Sequence, residues 1–478
     1  MDMPVIPLAD SFEPAARTDW LALVEKTLKG ASLDSLTRRT ADGLAIEPLY
    51  PAPWAGSTAN PARAPAVDRP WDIRAPIRQP EPSAAHDALL TALEGGAASV
   101  LLGIDPGGDS GVAIDSSEAL ARLLDGVLTD IAPIALDAGF LGPQAAYWLS
   151  AATKASPAAP LAFHLDPLGA FAAAGASPGP IESHLIAAAN TAARLSTTHP
   201  KASLFLASGA VVHEAGGTAA EELAFALAAA LGYAKALVRA GLSMEAALGG
   251  IVLGLITDVD PLVSIAKLRA ARILWTRFTQ VCGAPRPAAI EARSSGRMLT
   301  RADPWTNLVR LTAAGFAAAV GGADAIVLGA FTDVLGAPTP FAERLARNTQ
   351  LILMEEGHVG AAIDPAGGAG AFEALTIDLA RAAWERFTGI EAAGGVIAAL
   401  REGLIARETD IAREAFAAGL ADKTIRIVGV TEFVNPESRP AEVDTTVGAP
   451  VPGPDPRLPG PDSRCPALTP ITLESLVP

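Results

Sequence analysis

Residues 203–256, SLFLASGAVVHEAGGTAAEELAFALAAALGYAKALVRAGLSMEAALGGIVLGLI, contain two short apolar runs separated by a long helical pattern. The runs Ser203–Ala207 and Gly250–Ile256 have the length and composition of buried strands. Two strands joined through a helix pair in parallel, because a parallel pair needs a long crossover connection. This unit therefore predicts an α/β fold with a parallel sheet.

The same unit recurs on both sides of these residues. Strand-like runs, each followed by a helical pattern, also occur at Ser99–Ile104, Ile131–Leu136, Leu161–Leu165, Ala288–Ala292, Ala325–Leu328 and Val359–Ile363. Eight such units over about 300 residues favour a closed (β/α)₈ TIM barrel over an open doubly wound sheet.

The composition limits the class of protein. The 478 residues are 50% hydrophobic, which is enough to bury one large core. The net charge of −16 and the lack of a Lys/Arg run argue against a nucleic-acid surface. Apolar runs such as 224–238 are shorter than the roughly 20 residues of a membrane span. Two cysteines are too few for a disulfide framework, and the start MDMPVIPLADSF lacks a signal-peptide pattern, so we expect a cytoplasmic protein.

The patterns divide the chain into three parts. Residues 1–68 form an N-terminal helical and extended arm with a linker, and 69–432 form the barrel domain. Residues 433–478 are a Pro-rich, extended tail, which either wraps a partner surface or stays mobile.

Six ordered motifs resemble the methylmalonyl-CoA mutase family, over roughly residues 16–432. They lie at 20–50 (ending in GLAIEPLY), 69–74 (RPWDIR), 214–224 (EAGGTAAEELA), 267–275 (KLRAARILW), 303–310 (DPWTNLVR) and 346–370 (ARNTQLILMEEGHVGAAIDPAGGAG). Within the family, the sequence is most similar to the small, non-catalytic subunit of the bacterial heterodimeric enzyme.

The resemblance implies an adenosylcobalamin-dependent rearrangement between (R)-methylmalonyl-CoA and succinyl-CoA, in a barrel whose bore takes the pantetheine arm. Catalytic members of the family place a Tyr at the position of Pro76 and a His at the position of Val211. Neither replacement can supply a hydroxyl or exchange a proton. The resemblance therefore implies that this barrel has lost its own chemistry.

Positions that hold substrate in the family are also changed. The family's His-Ser-Gln-Thr-Ser-Gly strand end is 291–296 here, with Glu291 in the His position and Arg293 in the Gln position. A carboxylate there is expected to repel an anionic thioester. The family's Gln-Ser-Leu-His-Thr-Asn strand is Asp324 to Gly329, so its polar groups have become apolar or small. We expect the bore to be filled by side chains.

The family's cobalamin-binding motif, Asp-x-His-x-x-Gly, does not occur in the sequence. The resemblance thus implies that this chain binds no cofactor and that adenosylcobalamin is held by a large catalytic partner subunit. The N-terminal arm from Asp10 to Tyr50 and the outer barrel helices are the expected partner-facing elements.

The remaining motif residues favour structural roles. We expect hydrogen-bonding or packing roles for Arg69, Trp71, Arg74, Arg269, Arg347, Asn348 and Asp364. Arg269 and Arg272 are three apart on a predicted helix and are expected on a salt-bridged exterior. His213 is expected to have a local structural or surface role, pointing to the opposite strand face from Glu214. The six histidines lack metal-ligand spacing, so no metal site is predicted: His86, His164, His184, His199, His213 and His358.

Two other functions remain open at this point. The first is an active acyl-CoA mutase barrel that is served by a separate cobalamin-binding protein. The second is a stand-alone CoA-ester binding or regulatory module. A structural subunit that docks a catalytic chain is favoured over both, because the reactive positions and the substrate-holding positions are changed together.

Overall fold

The computed structural model describes residues 16–50, 62–63, 69–108, 111–444 and 461–477. Its strands are β1 Arg38–Arg39, β2 Ala45–Ile46, β3 Asp72–Ile77, β4 Ser99–Gly103, β5 Ile134–Asp137, β6 Ala162–Leu165, β7 Ser203–Ser208, β8 Ile251–Thr257, β9 Ile290–Ser294 and β10 Ala325–Val327. Strands β3 to β10 are parallel and close into an eight-stranded barrel in the order β10-β3-β4-β5-β6-β7-β8-β9. The predicted (β/α)₈ barrel is confirmed.

The described ranges contain fifteen α-helices, most of which pack around this barrel. They are α1 Arg17–Leu28, α2 Pro82–Glu94, α3 Ser117–Leu123, α4 Gly142–Ala152, α5 Pro167–Ala174, α6 Ile181–Thr198, α7 Ala210–Glu214, α8 Ala219–Arg239, α9 Met244–Gly249, α10 Pro261–Val281, α11 Asn307–Val320, α12 Pro340–Leu351, α13 Gly370–Ala392, α14 Val396–Arg401 and α15 Leu404–Ala421. In the described ranges, none of these helices combines the length and apolar character that crossing a membrane requires.

The sequence patterns misplace one of the eight strands. Residues 359–363 form a turn between a π-helical turn and α13, so the predicted strand Val359–Ile363 is wrong. Gly360 lies so close to Pro70 that an added Cβ would be 2.1 Å from the Pro70 Cβ, and Asp364 has a left-handed φ of 49°. An extended strand fits neither feature. The unpredicted strand is β3, whose charged side chains and Pro76 conceal the apolar pattern.

Helix α8 is stabilised by a cap at its N-terminus and by burial along its length. Thr218 caps its first turn, and the Glu221 carboxylate bonds back to the Thr218 amide at 2.9 Å, which is a capping box. Beyond the cap, α8 is Ala-rich and buried on nearly all sides. It is covered by β7 and β8 on the barrel side and by α13 on the other side. A helix that is apolar all round is stable only in such a position.

The hairpin of the N-terminal arm contacts the barrel domain, whereas the helix of the arm has no buried residue. The hairpin β1–β2 is held to the barrel helices by an Arg38–Asp260 ion pair and by Asp42, which accepts the Ala220 amide at 3.1 Å. In contrast, α1 has no buried residue, and Leu23 is 64% exposed. The apolar side chains of α1 therefore lie outside the buried core of this chain.

Part of the C-terminal tail folds back onto its own barrel. Backbone amides of Cys465, Leu468 and Ile471 donate to Gly175, Ala172 and Glu214, respectively, at 2.8 to 3.0 Å. Their acceptors lie on the connections that follow β6 and β7, so residues 461–477 run along the carboxyl-end side of the barrel. The expected mobility does not describe this segment, because its backbone is bonded to its own barrel. Residues 445–460 lie outside the described residues.

Candidate functional site in the barrel bore

The bore is built by alternation along the strands. In β3, Ile73 and Ile77 join the apolar core beneath the helices, so Asp72 and Arg74 must face the bore. In β9, Ile290 and Ala292 belong to the same outer core, so Glu291 and Arg293 face inward. Strand periodicity thus brings charged side chains from non-neighbouring strands together.

These charges form a network that crosses the bore. The Glu291 carboxylate accepts from Arg74 Nη1 at 2.5 Å and from Arg293 Nε at 2.8 Å. Arg74 also donates to Asp72 at 2.8 Å and to Ser99 Oγ at 2.9 Å. On the far side, Arg293 Nη1 donates to Asp137 of β5 at 2.8 Å. Strands β9 and β5 lie on opposite sides of the barrel, so Arg293 spans it.

The network is charged and mutually compensated. Burial alone would raise the pKa of Glu291, but the charges of Arg293 and Arg74 hold that pKa well below its usual range. Burial would lower the pKa of Arg293, and Glu291 and Asp137 raise it instead. Glu291 is therefore an anion between two guanidiniums. We expected Glu291 to repel an anionic ligand. In the structure, its negative charge is not isolated, because the two guanidiniums neutralise it.

An apolar layer accompanies the charged one. Leu101, Ala135, Ala162 and Val327, from four different strands, form a buried cluster separate from the core beneath the helices. Val327 occupies the position of the His in the family's Gln-Ser-Leu-His-Thr-Asn strand and pairs in register with Arg293. Aliphatic side chains and ion pairs together occupy the interior. An extended ligand that entered the bore would have to displace these aliphatic side chains and ion pairs.

The two positions expected to have lost reactive groups lie at the carboxyl end of the barrel. Pro76 is the fifth residue of β3 and pairs in register with Leu101 of β4. The sequence around Val211 indicated a strand, but this residue is helical. Strand β7 ends at Ser208, and residues 210–214 form α7. His213 and Glu214 are therefore helical neighbours, and the expected opposite strand faces are wrong for this pair.

His213 is buried in a polar network and not at the surface. Its Nε2 lies 2.9 Å from Ser295 Oγ, and its Nδ1 lies 3.3 Å from the Glu222 carboxylate, which also accepts from Lys267. Burial lowers the pKa of His213, and the charge of Arg297 lowers it further. Burial would raise the pKa of Glu222, but Lys267 and His213 lower it to about 2. Both nitrogens of this neutral imidazole therefore contact neighbouring side chains of the same chain, Ser295 and Glu222.

The other changed positions are structural in this chain. Asp324 precedes β10 at the amino end of the barrel, where it accepts from the Ile290 amide at 2.7 Å and from Arg272 at 3.0 Å. Gly329 follows β10 and donates its amide to Ser294 Oγ at 2.8 Å. An added Cβ at Gly329 would lie 2.6 Å from Asp333 Oδ2, so this position favours glycine.

Most of the motif arginines are anchored inside the fold. Arg269 is 3% exposed and Arg272 is 2% exposed, so the expected exterior position is wrong for both. Arg269 binds Asp364 at 2.9 Å and Glu373 at 2.8 Å, because α13 packs over α10. These carboxylates compensate the charge that burial would otherwise penalise.

The remaining motif residues link elements around β3. Arg69 Nη1 donates to the Gly96 carbonyl at 2.7 Å, and Arg347 Nε donates to the Gly95 carbonyl at 2.9 Å. Trp71 is buried and donates to the Gln350 amide oxygen at 3.3 Å. Asn348 lies on α12, two residues before Gln350.

Sequence reasoning did not find the roles of His164 and Asp137. His164 interrupts the apolar run 161–165, and this lone polar residue in a buried strand was the available signal. Its side chain is 1% exposed, and burial lowers its pKa to about 4. Across the described ranges, no group of three or more His, Cys, Asp or Glu residues is placed to hold a metal ion.

Comparison with known proteins identifies the family. A family model described as methylmalonyl-CoA mutase matches residues 68–449. The chain belongs to the methylmalonyl-CoA mutase family. It is 37% identical to the methylmalonyl-CoA mutase small subunit of Streptomyces virginiae, over 95% of this chain and 77% of the relative. It is 32% identical to the small subunit of Propionibacterium freudenreichii subsp. shermanii, over 93% of this chain and 73% of the relative.

A more distant match joins this mutase-family chain to a protein without the subunit designation. It is 29% identical to the methylmalonyl-CoA mutase of Escherichia coli K12, over 87% of this chain. The alignment spans 64% of that relative's length.

Proposed function

We propose that this chain is the non-catalytic small subunit of a heterodimeric, adenosylcobalamin-dependent methylmalonyl-CoA mutase. In this role it supports a large subunit that interconverts (R)-methylmalonyl-CoA and succinyl-CoA. The observation that carries the proposal is the Arg74–Glu291–Arg293–Asp137 network, which crosses the bore where a pantetheine arm would have to pass.

Opening this bore would be energetically expensive. Separating one partner from a buried ion pair costs roughly 3–5 kcal/mol, because the remaining charge is left uncompensated. A ligand would have to offset that cost before it gained any contact that accelerates a reaction. Binding energy spent in this way does not lower a chemical barrier. We therefore assign the chemistry to the partner chain.

The two changed positions do not themselves supply the lost groups. Pro76 has no hydroxyl, and Val211 has no titratable group. The nearby imidazole of His213 is buried between Ser295 and Glu222. A general acid or base must reach the proton that it transfers, and His213 is turned into the fold. This favours a non-catalytic role.

The cofactor is also assigned to the partner. Cobalt coordination by a protein imidazole needs a side chain that reaches out of the barrel end. His213 is 1% exposed and already bonded, and residues 461–477 run along the same side of the barrel. These residues do not fit a corrin, so we derive no step of the reaction through it in this chain.

Two surfaces are proposed to contact the large subunit. The first is α1, whose side chains are unused by this chain's own core. The second is the outer face of α11 and of the 3₁₀ turn Pro304–Thr306 just before it, where Trp305, Val309 and Phe316 are 37%, 69% and 41% exposed. Residues 305, 309 and 316 follow helical spacing and form one apolar stripe. Exposed apolar patches of this kind mark protein–protein interaction sites.

The wider organisation follows from the same proposal. We propose an arm and linker at 1–68, a barrel domain at 69–432 and a Pro-rich tail at 433–478, in a cytoplasmic protein. Support comes from the family match to residues 68–449 and from the two cysteines, Cys282 and Cys465, which are both free.

Co-expression with the cobalamin-binding mutase chain of the same organism tests the proposal. We expect a one-to-one complex on size exclusion and cobalamin-dependent turnover in the complex only. Pro76→Ala and Val211→Ala in this chain should leave that turnover unchanged, whereas changing the corresponding Tyr or His of the partner should abolish it. Loss of turnover in the Pro76 or Val211 variant of an intact complex would instead show a working site in this barrel.

A further inference from the structure

A recess of about 250 Å³ opens at the amino end of the barrel. This is the end opposite to the one at which TIM barrels carry their active sites. At about 30 Å³ per molecule of liquid water, it has room for roughly eight waters. It is lined by the first residues of several strands and by the loops before them, including Leu161, Lys201, Ser203, Val252 and Ala325.

The recess ends at a buried polar atom without a partner. His164 lines it, and the side chain of His164 is 1% exposed. Its Nδ1 is buried and makes no hydrogen bond to any described residue. The nearest carboxylate oxygen, Glu291 Oε2, is 3.8 Å away, which is too far for a hydrogen bond. A buried polar atom left in this state has a free-energy cost that a ligand group would remove.

The carboxylates that line the recess are already paired. Glu291 binds Arg74 and Arg293, and Asp72 binds Arg74. Asp324 binds Arg272 at 3.0 Å.

Unlike these paired carboxylates, the Lys201 ammonium has no ion-pair partner in the described part of the chain. It is exposed at the outer edge of the recess, and Ser203 lies two residues further on. The free cation is therefore at the mouth and the free imidazole nitrogen is at the base.

The strand geometry sets the distance between these two groups. Ala162 pairs in register with Ser203, and His164 lies two residues further along β6. The register then shifts, because Leu165 pairs with Phe205, so His164 lies between the levels of Ser203 and Phe205. At about 3.3 Å per residue of strand, the base of the recess is roughly 3–7 Å deeper than its rim. The lining of the recess is mixed, with apolar Leu161, Val252 and Ala325 beside the paired carboxylates.

We propose that this recess binds a short organic acid of about four to six carbon atoms, with its carboxylate at Lys201 and a second polar group at His164. Burial keeps His164 neutral near pH 7, so it offers a hydrogen bond and no charge. The inference does not rest on the proposed subunit function, because the site lies within this chain.

Calorimetric titration of the full chain with succinate, glutarate, adipate and hexanoate tests the assignment. We expect one-to-one binding of at least one dicarboxylate and weaker binding of hexanoate, which lacks the second polar group. Lys201→Met should weaken dicarboxylate binding at least about tenfold, or about 1.4 kcal/mol. The matched control Lys154→Met removes an exposed lysine that does not line the recess, and it should leave affinity unchanged.

His164→Asn tests the base of the recess. Asparagine tolerates the left-handed φ of 45° at this position, and its shorter side chain withdraws the hydrogen-bonding atom. It should weaken dicarboxylate binding and leave hexanoate binding unchanged.

Four outcomes would overturn the site, and the first three concern acids and phosphate. They are no binding of any acid at about 10 mM, equal affinity in Lys201→Met and Lys154→Met, or binding of inorganic phosphate alone. Lys201-dependent binding of coenzyme A without binding of any acid would also overturn it, and would favour the CoA-ester module.

Discussion

Glu291 is a single residue on which the charged part of the bore depends. It is fully buried, and both of its carboxylate oxygens bind arginines. Glu291→Ala should lower the free energy of unfolding by about 3 kcal/mol, because Arg74 and Arg293 then lose a shared counter-charge in a buried setting. Urea unfolding followed by circular dichroism measures the change.

The control for this prediction is Glu385→Ala, which removes an exposed carboxylate on α13. It should change the unfolding free energy by less than about 0.5 kcal/mol. Equal effects of the two substitutions would show that the bore network is not a stabilising unit.

The burial of His164 predicts that the folding stability depends on pH. Burial lowers its pKa from 6.5 to about 4, so the unfolded chain binds more protons than the folded chain between these values. Stability from this group is therefore lost as pH falls from about 6.5 to 4. The shift of about 2.5 units corresponds to roughly 3 kcal/mol.

His164→Asn should remove this part of the acid sensitivity. Unfolding free energies of the wild type and the variant, measured from pH 7 to 4, should diverge from each other by up to about 3 kcal/mol. The matched control is His358→Asn, at an exposed residue with a similar left-handed φ of 49°. A pH dependence that is identical for wild type and His164→Asn would contradict the assignment.

The sequence predicted some of these residues and missed the coupling between them. Pro76, Val211 and Glu291 were found because each departs from a family motif. The Arg74–Glu291 bond was not predictable from the chain, since its partners are 217 residues apart and meet only when the barrel closes. Periodicity identifies which face a side chain takes, and closure decides which side chains share that face.

At the scale of elements, seven of the eight barrel strands follow from short apolar runs. Strand β3 does not, because its inward residues are charged and its carboxyl end contains Pro76. The apolar run 359–363 has the composition of a strand, but the left-handed φ of Asp364 and the contact between Gly360 and Pro70 place it in a turn. Composition alone cannot separate a buried turn from a buried strand.

The docked tail segment 461–477 gives a prediction at this scale. Leu468 is 3% exposed, and its amide donates to the Ala172 carbonyl at 2.8 Å. Leu468→Ala should weaken docking by roughly 2–5 kcal/mol, because it removes buried apolar volume. Hydrogen–deuterium exchange should then become faster at the amides of 461–477 while the barrel strands keep their protection.

Val477→Ala is the matched control for the tail, since Val477 is only partly buried. It should leave exchange in 461–477 close to that of the wild type. Faster exchange throughout the barrel in Leu468→Ala would mean that the tail is part of the global folding unit and not a separately docked segment. The sequence did not predict this docking, because most of the docking hydrogen bonds are backbone contacts that carry no side-chain signature.

At the scale of the whole molecule, the apolar stripe on α11 is expected to be covered in the proposed complex with a large subunit. Val309 is 69% exposed, and a charge there cannot be buried without a large desolvation cost. Val309→Asp should weaken association with the large subunit at least tenfold, or by about 1.4 kcal/mol, and leave the unfolding of the isolated chain unchanged. Val281→Asp is the matched control at a valine that is 64% exposed at the end of α10. Equal association of both variants would exclude the α11 stripe from the interface.

The N-terminal arm makes the final prediction, because its two parts have different roles. Deleting residues 1–50 should weaken binding of the large subunit at least about tenfold, measured by sedimentation or calorimetry. Deleting only 1–30 removes α1 and keeps the hairpin that Asp42 anchors to the barrel. Since no residue of α1 is buried, this shorter deletion should not change the urea midpoint of the isolated chain, yet it should reproduce most of the lost affinity. Full affinity after the 1–50 deletion would exclude the arm from the interface. Affinity lost only with the longer deletion would move the contact from α1 to the hairpin.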